Sequence, residues 1–385
     1  MNFSFSEILF VLVIIQLFFI CFFLFSHNKG RRTSNLLLGF FFLSISLNLL
    51  DSFLVLKKVW LTNPNLVGWG ICMPLLFGPL LFLYTESILY KDFRLYGRKW
   101  LHFLPFFLCF IFSAYQYLSL GQERQVDLIN RIFERNLPPS LYWSSALIFL
   151  QFFLYIAASF RLIDRYRRIA SDHYSDQEKV NISWLSSTIL FFTLCMILAA
   201  INGFSGLTPF SKYYFLVLNI LVLLIFIFIS RVLLKALTKP EIFSVMEEAP
   251  ATRMEGGEIP KYPGSAISEE DRKRMLENLN LHMRTRKPYL EPELSLEQLS
   301  AQIFLKPKIL SQLINESLGQ NFFDFVNHYR IEEAKRLLTN PTDKKITILE
   351  VLYEVGFNSK SSFNTLFKKY TGLTPSEFKK KHIEG

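Results

Sequence analysis

The most constraining feature of this sequence is a series of nearly uncharged apolar runs, at 8–25, 36–56, 66–90, 100–120, 141–162, 182–204 and 213–234. Each is close to the ~20 residues an α-helix needs to cross hydrocarbon, where backbone amides must be bonded within their own segment. The runs predict an all-α chain whose residues 1–236 form a bundle of about seven spans. Composition agrees, since 51% hydrophobic content with 41 Phe exceeds that of ordinary soluble domains. The first run is not expected to be a cleaved leader: Glu7 precedes it without Lys or Arg, and no small-residue cleavage site follows Phe25.

Basic residues between the runs predict orientation. The first loop holds Lys29, Arg31 and Arg32, the third Lys91, Arg94, Arg98 and Lys99, and the fifth Arg161, Arg165, Arg167, Arg168 and Lys179. The second carries Lys57 and Lys58, the fourth Arg124, Arg131 and Arg135 diluted by Glu123, Asp127 and Glu134, and the sixth Lys212. Because basic loops stay inside, the odd loops are expected to be cytoplasmic, with the N-terminus outside and the C-terminal domain in the cytoplasm of a bacterial inner membrane. The net charge of +10 suits either an anionic leaflet or nucleic acid.

Polar groups within the spans are few and costly in lipid, so they are expected to face the bundle interior. Asn48 and Asp51 lie one helical turn apart, Glu86 follows Tyr84, and Gln151, Asn202 and Asn219 mark later spans. Two readings stay open: interhelical hydrogen bonding, or a signal pocket containing Asn48, Asp51 and Glu86. Pro74, Gly78 and Pro79 are expected to kink the third span. Cys21, Cys72, Cys109 and Cys195 all fall in apolar runs without CxxC spacing and read as packing residues, and the His residues are scattered. No metal, cofactor or catalytic group is expected, and the chain does not read as an enzyme.

From 237 to 290 the hydropathy collapses into a linker containing Pro240, Pro250, Gly256, Gly257, Pro260, Pro263 and Gly264. Within it, Ser268 followed by Glu269, Glu270 and Asp271 predicts a helix start, Met275, Leu279 and Met283 a weakly apolar face, and Pro288 a stop. That helix is expected to pack on the domain that follows, with a coupling or dimer contact as the other reading.

Residues 291–385 carry two helix pairs. In the first, Ser295 and Gln298 form a capping box, Leu296, Leu299 and Ile303 recur at helical spacing, and Phe304, Leu305 and Lys306 make a turn. Pro307 starts a second helix, in which Leu310, Leu313 and Ile314 face inward and Lys308, Ser311, Gln312 and Asn315 outward. In the second pair, Ile346, Leu349 and Leu352 begin a helix, Gly356 supplies the turn, Phe357 plugs the core and Ser359 caps the next helix. There Phe363, Leu366 and Phe367 face inward, and Lys360, Ser361, Asn364, Thr365 and Lys368 outward. Such faces combine groups able to meet base edges with cations for phosphate, and Lys306, Asn358 and Ser359 in the turns complete the candidate DNA contacts. A helix from Asn321 to Thr339, with Phe322, Val326, Tyr329, Ala334 and Leu337 as its apolar stripe, separates the pairs by about 27 Å. Successive major grooves are about 34 Å apart.

VGFNSKSSFNTLFKKYTGLTPSEFKK resembles the signature of the AraC/XylS family of bacterial transcriptional regulators, and NHYRIEEAKRLL resembles that family's connecting helix. The resemblance covers about the last ninety residues. It implies two helix-turn-helix units reading promoter DNA, with Lys308, Ser311, Gln312 and Asn315 in one groove and Lys360, Ser361, Asn364 and Thr365 in the next. It also implies a bracing role for Arg330. Ser300 and Leu352 stand where the family commonly has alanine, and Leu352 is expected to shift the second recognition helix slightly.

The expected whole is a membrane-embedded regulator whose partners are double-stranded promoter DNA, the lipid bilayer, a small-molecule or envelope signal and, as one option, a second copy in a homodimer. The alternative is a transporter or membrane enzyme whose helical appendage binds no DNA.

Overall fold

The computed structural model describes residues 4–26, 31–63, 69–90, 92–134, 139–175, 182–238, 268–339 and 346–383. The predicted linker residues Pro240 to Gly264 lie outside these, as do Lys29, Lys91, Arg135 and Lys179. Among the described residues the regular structure is helical, and Tyr174 and Ser295 form an isolated β-bridge. The chain divides into two compact units, Met1–Ile163 with Ile182–Arg253, and Asp164–Asn181 with Met254–Gly385.

The first unit contains α1 (Phe5–Ser26), α2 (Arg32–Leu56), the short α3 (Val59–Thr62), α4 (Pro74–Leu89), α5 (Leu104–Ser119), α6 (Gln122–Glu134), α7 (Pro139–His173, up to Ile163), α8 (Ser183–Phe204) and α9 (Tyr214–Thr238). Among the described residues, six helical stretches are long and apolar enough to cross a membrane: Phe5–Ser26, Arg32–Leu56, Gly97–Ser119, Leu141–His173, Ser183–Leu207 and Pro209–Leu234. The remaining predicted span, 66–90, forms the 16-residue α4. Pro74 sets its first turn, and the residues just before it are turns. Large apolar side chains such as Phe22, Leu118 and Trp143 face outward, the reverse of a soluble fold. Inside, Phe192 packs edge-on against Phe41 at 4.8 Å and against Phe228 at 5.3 Å.

Pro79 lies within α4 and has no amide to offer the carbonyl of Leu75; that oxygen is bonded instead by Gln151 Nε2 of α7 at 3.3 Å. Gln151 thus has an interhelical bonding role. Beside Pro79, Gly78 lets α7 approach closely, because a Cβ there would stand 3.0 Å from the Tyr155 ring. The four cysteines are free, and the Cys72 and Cys109 sulfurs lie 2.9 Å apart.

The second unit contains α10 (Glu269–Arg286), α11 (Leu296–Gln302), α12 (Pro307–Leu318), α13 (Phe322–Leu338), α14 (Ile348–Glu354), α15 (Lys360–Thr371) and α16 (Pro375–Ile383). Ser268 caps α10, which packs Leu279 and Met283 into the first helix pair's core with Leu299, Leu310, Leu313 and Val326. The second core gathers Ile331, Ala334, Leu352, Phe357, Phe363 and Phe367. Helix α13 contributes its first half to one core and its second half to the other, so one rod fixes both pairs.

Candidate nucleic-acid interface

Each helix pair is set by its caps. Ser295 and Gln298 form a capping box at α11, and Thr347 and Glu350 form another at α14. Helix α12 starts on Pro307, whereas Ser359 accepts the Ser362 amide to cap α15. The first turn is residues 303–306 and the second 355–359, so the second is one residue longer, with Asn358 as the addition. Aligned from their first residues, α12 and α15 place Lys308 with Ser361, Ser311 with Asn364, Gln312 with Thr365 and Asn315 with Lys368.

Lys306, Lys308, Asn358, Lys360, Ser361, Thr365 and Lys368 are exposed, and Ser311, Asn315, Ser359 and Asn364 are half-buried. Asn315 donates to Ser311 Oγ at 3.3 Å. Gln312 departs from its expected outward position. It is only 5% exposed, because its place on α12 turns toward the packed side and its amide donates to the Glu316 carboxylate at 3.1 and 3.2 Å. Leu352 is buried in the second core.

Arg330 of α13, 1% exposed, braces the domain from within. Its guanidinium donates to the carbonyls of Tyr289 at 2.7 Å, Glu291 at 2.7 Å and Pro292 at 3.2 Å, and to Ser175 Oγ at 3.2 Å. A planar fork of five donors suits this cluster of carbonyls better than an ammonium would. Asn327 adds a donor to the Ser175 carbonyl at 3.0 Å, and Ser175 donates through its hydroxyl to the Leu294 carbonyl at 2.6 Å. The residues just after α7 are therefore threaded into this domain's seam, where Ser175 borders the same small space as Gly356, Asn358 and Ser359. Ser175 carries no signal of this role in its residue type, and its neighbours 176–181 read only as a polar loop. Asn327 was visible as part of NHYR but without a role.

Charge fixes further joints. Glu297 is bonded by His173 at 3.0 Å, and this bond holds its carboxyl below the usual range. Glu333, 12% exposed, is bonded by Arg336 and Lys287, both at 2.8 Å, and the Arg336 bond leads in holding it low. Lys369 of α15 pairs with Asp324 of α13 at 3.0 Å, tying the second pair to the rod. The predicted signal residues divide within the first unit: Asn48 and Asp51 line one cavity, while Glu86 pairs with Lys99 at 3.0 Å and does not line it.

Residues 299–381 match a family described as a helix-turn-helix domain. The transcriptional regulatory protein YesN of Bacillus subtilis (strain 168), described as uncharacterized, is 36% identical over 92 residues, which are 23% of this chain and 24% of that protein. An HTH-type transcriptional regulator of Staphylococcus aureus (strain COL) is 38% identical over 91 residues, 24% of this chain and 12% of that protein. The chain thus spans a quarter or less of these relatives. Among solved structures, the C-terminal domain of AraT, a response regulator from Geobacillus stearothermophilus, is similar over 31% of this chain and 90% of that one, with 25% identity and a TM-score of 0.25.

Proposed function

We propose that this chain, which ends in a helix-turn-helix domain of the AraC type, is a membrane-embedded transcriptional regulator that binds promoter DNA at the cytoplasmic face. The observation that carries this reading is the pairing of two like helices, α12 and α15, each presenting short polar groups and lysines outward from one buried rod. Two such faces on one rigid support can enter successive major grooves, with lysines on phosphate and Asn or Ser on base edges. Loop charge supports the cytoplasmic placement.

The seat of Ser175 supports a coupling role: a signal in the spans that shifts the end of α7 would pull on Arg330 and the Gly356 turn together. A coupling of about 1 to 3 kcal/mol suffices to regulate occupancy.

The test is a gel shift with the full chain in nanodiscs on DNA upstream of its own gene. A specific shift that weakens steeply with salt is expected, because cations on phosphate release counterions. A chain that shifts no DNA in preference to competitor is not a regulator of this kind. Alkaline phosphatase fused after Lys239 should be inactive, and high activity there would reverse the topology.

A further inference from the structure

The first unit holds a half-open cavity of about 330 Å³, at the small end of ligand sites. Its wall is largely aromatic and aliphatic, including Phe41, Phe77, Phe149, Phe152 and Phe192, and at one side stand Asn48 and Asp51. Asp51 is 6% exposed, and its Oδ1 has no hydrogen-bond partner among the described residues. The side-chain donors beside it on its own helix are engaged elsewhere, since Asn48 Nδ2 bonds the Gly70 carbonyl at 3.1 Å and the Ser52 hydroxyl bonds the Asn48 carbonyl at 3.0 Å. Gly70 also presses on the carboxyl, with a Cβ there falling 2.4 Å from Asp51 Cγ, so the acid is held in place by backbone.

A buried carboxyl oxygen left without a partner is costly, and an occupant that supplies a donor offsets that cost. Two features select the donor. A carboxylate attracts an ammonium, and the surrounding ring faces attract it as well. A bare metal ion would need six or so oxygen ligands, which this wall does not offer. An anionic ligand such as a fatty acid would meet like charge. We infer that the cavity binds a small amphipathic amine, its ammonium at Asp51 and its apolar body among the phenylalanines. This deepens the proposed sensing role by naming the class of signal.

The probe is 2-phenylethylamine, titrated calorimetrically into the full chain in phosphatidylcholine nanodiscs, with 2-phenylethanol and phenylacetate as neutral and anionic counterparts. Saturable binding of the amine at least tenfold tighter than the alcohol, with no measurable binding of phenylacetate, is expected. Asp51→Asn should bring the amine down to the alcohol's affinity, Asp51→Glu should keep a preference for the amine, and Ala199→Phe, which fills the cavity, should abolish both. Unaltered elution and promoter binding verify that each variant is folded. Equal affinity for amine and alcohol, an amine advantage that survives Asp51→Asn, or binding that survives Ala199→Phe would each overturn the site. Gel shifts with and without the amine read the sensing role separately: cavity binding with unchanged promoter affinity overturns sensing and leaves the site standing.

Discussion

Gly356 sits at φ +87°, and a Cβ there would stand 2.8 Å from the carbonyl oxygens of Tyr289 and Leu290. Gly356→Ala should therefore cost more than about 2 kcal/mol, since backbone strain adds to a clash with backbone. Thermal unfolding of the full chain measures it. The equivalent turn position in the first pair is Phe304, also left-handed at φ +58° but 95% exposed. Phe304→Gly loses no burial and relieves the strain, so stability should hold or rise by up to ~1 kcal/mol. Glu333 gives a pH prediction. Its folded value lies below the ordinary 4.5, so its stabilisation is complete above 4.5 and is lost as pH falls through the lower folded value. Glu333→Gln should flatten stability across that acid window. At this scale Gly356 and Ser359 were legible from residue type alone, whereas Phe304's left-handed backbone was not signalled by its residue type, and Glu333's bond to Lys287 joins positions distant in sequence.

Among elements, α12 and α15 share a plan but differ in detail. Alignment from their first residues pairs Gln312 with Thr365, yet only Thr365 is exposed. Lys360→Ala and Asn364→Ala should weaken specific DNA binding, the latter by about 1 to 3 kcal/mol if it meets a base. Gln312→Ala should leave affinity nearly unchanged, and gel shifts of the three variants discriminate. Caps and apolar periodicity revealed α10 to α15 and the buried ends of α13 but left α16 unmarked. Apolar patterning overstated the third span, because residues 69–73 before Pro74 form turns rather than helix. It also passed over α6, whose Val126 and Ile129 lie one turn apart in a polar sequence. Hydropathy registers what a segment dissolves in, and α6 is neither apolar enough nor long enough to register.

For the whole molecule, the apolar runs made the bundle legible, and caps, helical spacing and the family resemblance made the helical domain that follows it legible. What stayed hidden was the segment after α7, assigned by sequence to a loop and found in that domain's seam through Ser175, Asn327 and Arg330. Nothing in the residue types announces a contact made between positions 175 and 330. The extra residue in the second turn has a last consequence. In the proposed function, two unlike helix pairs on one rod would give the protein a head and a tail on DNA, so its operator should be a tandem, non-palindromic sequence with a direction. Inverting that operator in a promoter fusion should abolish control while leaving affinity intact, and equal regulation in both orientations would show that the protein has no such polarity.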